Sequence, residues 1–220
     1  MTMATIESLV PERTPEATQP GKVQYWFACF FAVGWAGVVG AGLFHQFGAR
    51  EFPSPLCLVQ RMFMLLAAMG AAYIIRTALL RGSVTGRHYM TGWGLTLIAL
   101  MGGSFASWRQ TTLHILPGAK GYGGEVFGLH LYVWALILFQ VSVVVVGIAL
   151  ATAHTTAEHG VPATGPGLLR TAGLGVLWLL GAVIAVSMAA AFFEEGFHWF
   201  LPDAPDRYRF FHDIGVLGRP

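Results

Sequence analysis

The residues best suited to chemistry in this chain lie in one short stretch, EFPSPLCLVQRMFM. Ser54 stands where a helix N-cap belongs, and Pro55 follows at the first helical position. Cys57 then lies among the free amides and the positive end of the helix dipole, which favour its thiolate form. Gln60 and Arg61 lie one turn further along, on the same face. The spacing predicts a polar notch that holds a thiolate or another anion.

The composition indicates that a lipid bilayer surrounds most of the chain. Of 220 residues, 55% are hydrophobic and 11% are charged, and the mean hydropathy is +0.60. A soluble domain carries about 25% charged residues, so a soluble enzyme is excluded. The net charge of +2 gives no reason to expect a nucleic-acid partner. Two cysteines exclude a disulfide-stapled secreted module and leave no zinc-binding motif.

Five segments are long and apolar enough to cross a bilayer, which takes about 20 residues. One of them contains Arg61, and an arginine inside a span is costly and therefore functional by default. Gly34, Gly37 and Gly40, at three-residue intervals, predict close helix packing along the first span. The expected fold is an all-α transmembrane helical bundle. Its predicted helices cover residues 24–47, 55–79, 89–108, 128–151 and 168–193.

The segments outside the spans predict the topology. Residues 1–22 are polar and rich in proline, and we expect a disordered cytoplasmic arm. The small-residue segment 152–167 is a predicted cytoplasmic loop, because basic residues outside the helices favour a cytoplasmic N-terminus. Residues 194–220 form an aromatic-rich periplasmic tail. Its composition suits either an interfacial anchor or a docking segment for a periplasmic redox protein or other complex subunits.

The notch resembles a known family signature. PSPLCLVQR is similar to the P-C-x-L-C-x-x-Q/E-R motif of the bacterial disulfide-bond-formation protein B family, the quinone-reducing membrane oxidases. AGLFHQF before it and GGSFASWRQTTLHILP after it extend the resemblance, which covers about residues 25–151. It implies a four-helix membrane core over residues 23–151. The helix at 168–193 is then an addition to that core.

The cysteines depart from the family pattern. The family uses two cysteine pairs, but Ser54 replaces the first cysteine of the motif, and the loop from Trp108 to Phe127 contains none. Cys29 lies about 25 Å in depth from Cys57 at 1.5 Å per residue, whereas a disulfide needs alpha carbons within about 7 Å. Both redox pairs are therefore missing, and a dithiol relay within this chain is excluded.

The resemblance also implies a site for quinone, either ubiquinone or menaquinone, at the outer membrane surface. Cys57 and Arg61 would face the quinone ring, with Gln60 at the family's polar position. Arg109 and Gln110, at the outer end of the third helix, either contribute to this pocket or, for the arginine, reach towards the interface. Three histidines near the same membrane edge have several interpretations: a proton relay or quinone contacts, axial ligands of haem b, or plain hydrogen bonds to lipid headgroups. They are His45, His114 and His130.

Three functions remain open. The first is a quinone-binding protein of the bacterial inner membrane that passes electrons from a periplasmic partner to membrane quinone without its own dithiol relay. The second is a disulfide-forming oxidase that acts through the single thiol of Cys57, its catalytic residue. The third is a non-catalytic membrane anchor or scaffold of a larger redox complex.

Overall fold

The computed structural model describes residues 19–49, 51–114, 124–152, 167–198, 205 and 207–216. A two-stranded antiparallel hairpin precedes the fourth long helix, with β1 at Glu125–Val126 and β2 at Leu129–His130. A short helix, α6 (Arg209–Asp213), follows the fifth long helix. The five long helices are α1 (Gln19–Gly48), α2 (Pro55–Arg81), α3 (Gly86–His114), α4 (Leu131–Ala151) and α5 (Leu168–Glu195).

The protein is an all-α, multi-pass membrane bundle, as the composition predicts. Among the described helices, α1, α2, α4 and α5 are long and apolar enough to cross a bilayer. Helix α3 is less apolar, but it runs antiparallel beside α2 along its whole length. Cys57 of α2 hydrogen-bonds to Gln110 near one end of α3, and Arg81 lies 2.9 Å from the His88 ring near the other. Because α3 covers the same depth as α2, it crosses the same layer.

Two glycines set the contact between α2 and α3. A Cβ on Gly70 would collide with the Thr96 hydroxyl and would lie 2.5 Å from the Gly92 carbonyl oxygen. The Thr96 hydroxyl instead donates to the Ala67 carbonyl at 3.0 Å. Small residues let helix backbones approach closely in lipid, and this contact fixes how the two helices are aligned.

The packing prediction for the first helix is wrong. Among the described residues, a Cβ on Gly34, Gly37 or Gly40 would meet no heavy atom within 4 Å, so these glycines make no close contact with the other described helices. The three-residue spacing therefore does not identify an interface, because the same spacing occurs on a helix face that touches no neighbour.

Several predicted boundaries differ from the structure. Helix α1 begins at Gln19, so the last residues of the expected disordered arm are helical, and residues 1–18 lie outside the described part. Helix α3 is longer at both ends than the predicted 89–108. Helix α4 begins at Leu131 and not at 128, because the hairpin occupies the preceding residues. Its turn places Phe127 at φ 53° and Gly128 at φ 76°.

The C-terminal part also differs from the prediction. Helix α5 continues to Glu195, two residues beyond the predicted end, and stops at Gly196 with φ 65°. The predicted loop at 152–167 lies mostly outside the described residues. So do residues 199–204, 206 and 217–220 of the predicted tail.

The described part of the tail packs on its own chain. The Asp213 carboxylate accepts a hydrogen bond from the Phe197 backbone amide at 3.2 Å. The Tyr208 ring meets the Phe52 ring edge to face, with centroids 5.0 Å apart. A cluster of aromatic rings joins α6 to the end of α5: Phe192, Phe193, Phe197, Phe210 and Phe211.

Candidate functional site

A half-open cavity of about 470 Å³ lies between the second half of α1, the start of α2, the hairpin and α4. Its polar wall carries the imidazole of His45, the thiol of Cys57, the amide of Gln60 and the guanidinium of Arg61. The other walls are largely apolar. They include Val38, Val39, Met64, Leu131, Ala135 and Leu138.

Local sequence fixes where α2 begins, and this places the polar wall. Ser54 has extended backbone angles, and its side-chain oxygen accepts a hydrogen bond from the Cys57 amide at 3.3 Å. Pro55 occupies the first helical position, where its missing N–H costs nothing. The predicted N-cap is confirmed. It puts Cys57 in the first turn of α2, and Arg61 one turn deeper.

Side chains from α2 and α3 surround the Cys57 thiol. The Gln110 amide nitrogen donates to the sulfur at 3.2 Å and to the Ser54 hydroxyl at 3.3 Å. The amide oxygen of Gln110 accepts from the Gln60 side chain at 2.7 Å. The Ser54 hydroxyl also donates to the sulfur, at 3.2 Å. The thiol also lies 3.6 Å from the Gln110 amide oxygen, so the sulfur has polar contacts with both α2 and α3.

Both cysteines are free thiols. Cys29 is buried inside the bundle, with 3% of its surface exposed, whereas Cys57 is partly exposed at the cavity. Ser54 occupies the position three residues before Cys57 and presents a hydroxyl there. Two cysteines in the whole chain cannot supply two redox pairs. These two free thiols are consistent with the predicted lack of both cysteine pairs.

A buried polar chain links Arg61 to the fifth helix. The Arg61 Nη1 donates to the Gln46 amide oxygen at 2.9 Å, and the Gln46 amide nitrogen donates to Glu194 Oε2 at 3.1 Å. Exposure is 8% for Arg61, 2% for Gln46 and 0% for Glu194. The other carboxylate oxygen of Glu194 has no hydrogen-bond partner among the described residues. Three helices, α2, α1 and α5, therefore meet at one pair of opposite charges.

Tyr208 lies beside this polar chain. It interacts with Gln46, and its charged neighbours are Glu194 and Arg61. Burial raises the pKa of the Tyr208 hydroxyl and Glu194 raises it further, whereas Gln46 and Arg61 lower it. The net direction is upward, so Tyr208 is neutral at physiological pH.

The structure separates the predicted site residues into two groups. His45, Cys57, Gln60 and Arg61 line the same cavity. Arg109 is exposed at the end of α3 and does not line it, whereas its neighbour Gln110 is 1% exposed and bonded to Cys57.

The other two histidines lie beside Tyr132, whose own side chain lines the cavity. His114 Nδ1 is 2.8 Å from the Gln110 carbonyl oxygen, and its ring lies 5.3 Å from the Tyr132 ring. His130 stacks on Tyr132 at 5.3 Å, with its Nε2 3.2 Å from the Glu125 carboxylate. Neither imidazole belongs to the cavity lining.

Sequence reasoning missed Gln46 and Glu194. Gln46 lies inside AGLFHQF, a segment that carried the family resemblance, but no local feature distinguishes it from the other residues there. Glu194 follows the apolar run of α5, where acidic residues commonly meet water. Only the burial of its side chain reveals its position inside the bundle.

The arrangement can hold a flat apolar ring that carries carbonyl groups. Apolar walls accept the ring, and the guanidinium and imidazole can donate hydrogen bonds to carbonyl oxygens. Within the described residues, no cluster of three or more His, Cys, Asp or Glu side chains is placed to hold a metal ion.

Comparison with known proteins agrees with the sequence motif. Residues 24–122 match the family model described as Disulfide bond formation protein DsbB. That family comprises membrane disulfide-bond oxidoreductases that are linked to quinone and generally work with a periplasmic thiol oxidoreductase. Searches of curated proteins and of solved structures gave no match. The matched region covers most of α1 and all of α2 and α3 with the polar wall of the cavity, and over this region the chain is similar to that family.

Proposed function

We propose that this protein binds membrane quinone in the cavity and passes electrons to it from an outer-face partner, without a dithiol relay of its own. One observation carries the proposal. The thiol of Cys57 and the guanidinium of Arg61 lie on one wall of a cavity that is otherwise mostly apolar. That wall is built by the PSPLCLVQR segment, which lies within the region that matches the family.

The residues present fit a quinone. Ala41, Gly42 and Ala135 are small and leave room for a ring between α1 and α4. A Cβ on Gly42 would lie 3.6 Å from Nη2 of Arg61, which places this glycine directly beside the guanidinium. Ubiquinone and menaquinone both present a flat ring, two carbonyl oxygens and an apolar tail, which match these surfaces.

When bound, a quinone supplies a two-electron acceptor that takes up two protons on reduction. Arg61 would donate hydrogen bonds to one carbonyl oxygen of the ring. His45 would hold or release a proton at an imidazole nitrogen. Cys57 would contact the ring, with its sulfur oriented by Gln110. We do not propose haem b, because the family match gives it no support and the other two predicted histidines lie outside the cavity lining.

A second candidate function is supported by the partial exposure of Cys57. Its thiol could form a mixed disulfide with a partner's cysteine, with the two electrons and two protons of the two thiols passing to a membrane quinone. Gln110 and Ser54 donate hydrogen bonds to the sulfur and orient it. The third candidate, a non-catalytic scaffold subunit, requires neither quinone nor a reactive thiol.

We further propose that the membrane is the bacterial inner membrane and that the cavity faces the periplasm. Arg76, Arg81 and Arg87 lie around the end of the α2–α3 pair that is opposite to Cys57. Basic residues concentrate on the cytoplasmic side, so the N-terminus is cytoplasmic in this orientation. A periplasmic redox protein or other subunits of a complex would then dock on the outer face near residues 194–220.

The test is to purify the protein in mild detergent, extract it with organic solvent and assay the extract for ubiquinone and menaquinone. We expect quinone in the parent protein and in Arg76→Met, an exposed arginine at the other end of α2. We expect little or none in Arg61→Met. A parent protein without quinone refutes the proposal. A reducible adduct that disappears in Cys57→Ser would then support the single-thiol oxidase, and the absence of both would support the scaffold.

A further inference from the structure

We propose that Glu194 makes the cavity selective for neutral ligands over anionic ones, by balancing the charge of Arg61 across the Gln46 amide. This inference rests on the proposed quinone site and names the charge class of its ligand. Glu194 does not line the cavity, so it is a specificity-determining residue that acts through Arg61.

The hydrogen bonds show how the two charges are connected. Gln46 presents its amide oxygen to Arg61 at 2.9 Å and its amide nitrogen to Glu194 at 3.1 Å. The amide in this orientation satisfies a cation on one side and an acceptor oxygen on the other. All three side chains are more than nine-tenths buried, so water screens their charges only weakly.

Two further groups near Arg61, Tyr208 and Glu51, leave this balance in place. Tyr208 is neutral, because its environment raises the pKa of its hydroxyl. Glu51 lines the cavity but is exposed, and its carboxylate accepts a hydrogen bond from the Gly124 amide at 3.2 Å. The buried pair is therefore close to electrically neutral. A neutral quinone keeps its hydrogen bond to Arg61, whereas an anion gains little from a cation whose charge is already compensated.

The fifth helix contributes this selectivity, and the family resemblance does not. The matched region ends at residue 122, whereas Glu194 lies in α5. Its carboxylate reaches the site from a helix outside the matched core. Without Glu194, the guanidinium would face the cavity as an uncompensated charge in a medium of low polarity, where charges act strongly.

Two ligands of similar shape and different charge test the inference. The probes are 1,4-naphthoquinone, which is neutral, and 2-hydroxy-1,4-naphthoquinone, whose acidic hydroxyl makes it an anion at about pH 8. Binding of each is measured with the full-length protein in detergent. We expect Glu194→Gln to raise the affinity for the anion relative to the neutral probe by about tenfold. Glu194→Asp keeps the charge and should retain the parent ratio.

Glu195→Gln is the matched control, because it removes a neighbouring carboxylate that does not contact Gln46 or Arg61. It should leave the ratio unchanged. Equal weakening of both probes in Glu194→Gln would show a purely structural role and overturn the inference. If the parent protein binds the neutral probe and Glu194→Gln leaves the ratio of the two affinities unchanged, this inference alone is overturned. Failure of the parent to bind the neutral probe would overturn the proposed function and this inference together.

Discussion

Replacing Arg61 with methionine should destabilise the protein because it strands a buried carboxylate. In the parent, Arg61 is 8% exposed and Glu194 is fully buried, with only Gln46 between them. Removal of the guanidinium leaves the Gln46 oxygen without its donor and Glu194 without its counter-charge. Breaking a buried pair by removing one partner costs about 3 kcal/mol of folding free energy.

The double variant Arg61→Met, Glu194→Gln removes the stranded charge and should recover at least half of that loss. We expect the midpoint of thermal unfolding in detergent to fall by roughly 9 °C in the single variant, at 2–4 °C per kcal/mol. Tryptophan fluorescence measures it, and Glu194→Gln alone completes the double-mutant cycle. Quinone content should stay low in both variants that lack Arg61.

Adding Glu195→Gln to Arg61→Met is the control, and it should recover nothing. The reasoning is refuted if the losses of folding free energy in Arg61→Met and Glu194→Gln simply add in the double variant, since additive effects mean that the two charges are not coupled. It is equally refuted if Arg61→Met unfolds at the parent temperature, because a cation without a stabilising role cannot be balancing a buried carboxylate.

Three further predictions test the packing, the thiols and the tail. Gly70→Ala should push α2 away from α3 and lower the free energy of unfolding by about 1–3 kcal/mol. Gly94→Ala should leave it unchanged, because no described atom lies within 4 Å of a Cβ there. The midpoints of thermal unfolding compare the two variants, and equal midpoints would contradict the described contact between α2 and α3. Maleimide should label Cys57 and not the buried Cys29, as measured by mass spectrometry. Added quinone should slow the labelling of Cys57, and a labelling rate that does not depend on quinone would place the ligand elsewhere. Burial raises the pKa of the Tyr208 hydroxyl, so the stabilisation from this neutral hydroxyl is complete below about pH 10 and is lost as the pH rises through the pKa of the folded state. The unfolding midpoint of Tyr208→Phe should therefore depend less on alkaline pH than that of the parent. Identical pH profiles would argue against a buried hydroxyl.

The sequence alone determined the class of the protein and the start of its second helix. Long charge-free runs require lipid, and lipid requires helices that satisfy their own backbone groups. Ser54 and Pro55 define the helix start within two residues, because capping is a local interaction. Once that start is known, helical geometry alone places Cys57, Gln60 and Arg61 within two turns of each other, and all three line the cavity.

Only the tertiary structure decided which other side chains reach the site. Gln46 and Glu194 meet although 148 positions separate them. Arg109 and Gln110 are adjacent in sequence, yet one is exposed and the other is buried against Cys57. That difference depends on how α3 is rotated against α2, which the contact at Gly70 sets.

The physical reason is the solvent. In water, a helix shows its inward face by its apolar stripe, because the outward face is polar. In a bilayer, the outward face is as apolar as the core, so the pattern along the chain does not reveal the rotation of a helix. Helices α1 and α5 are apolar on most sides, and the sequence could not predict that Gln46 and Glu194 point towards Arg61. Packing between helices decides that, and it exists only in the folded protein.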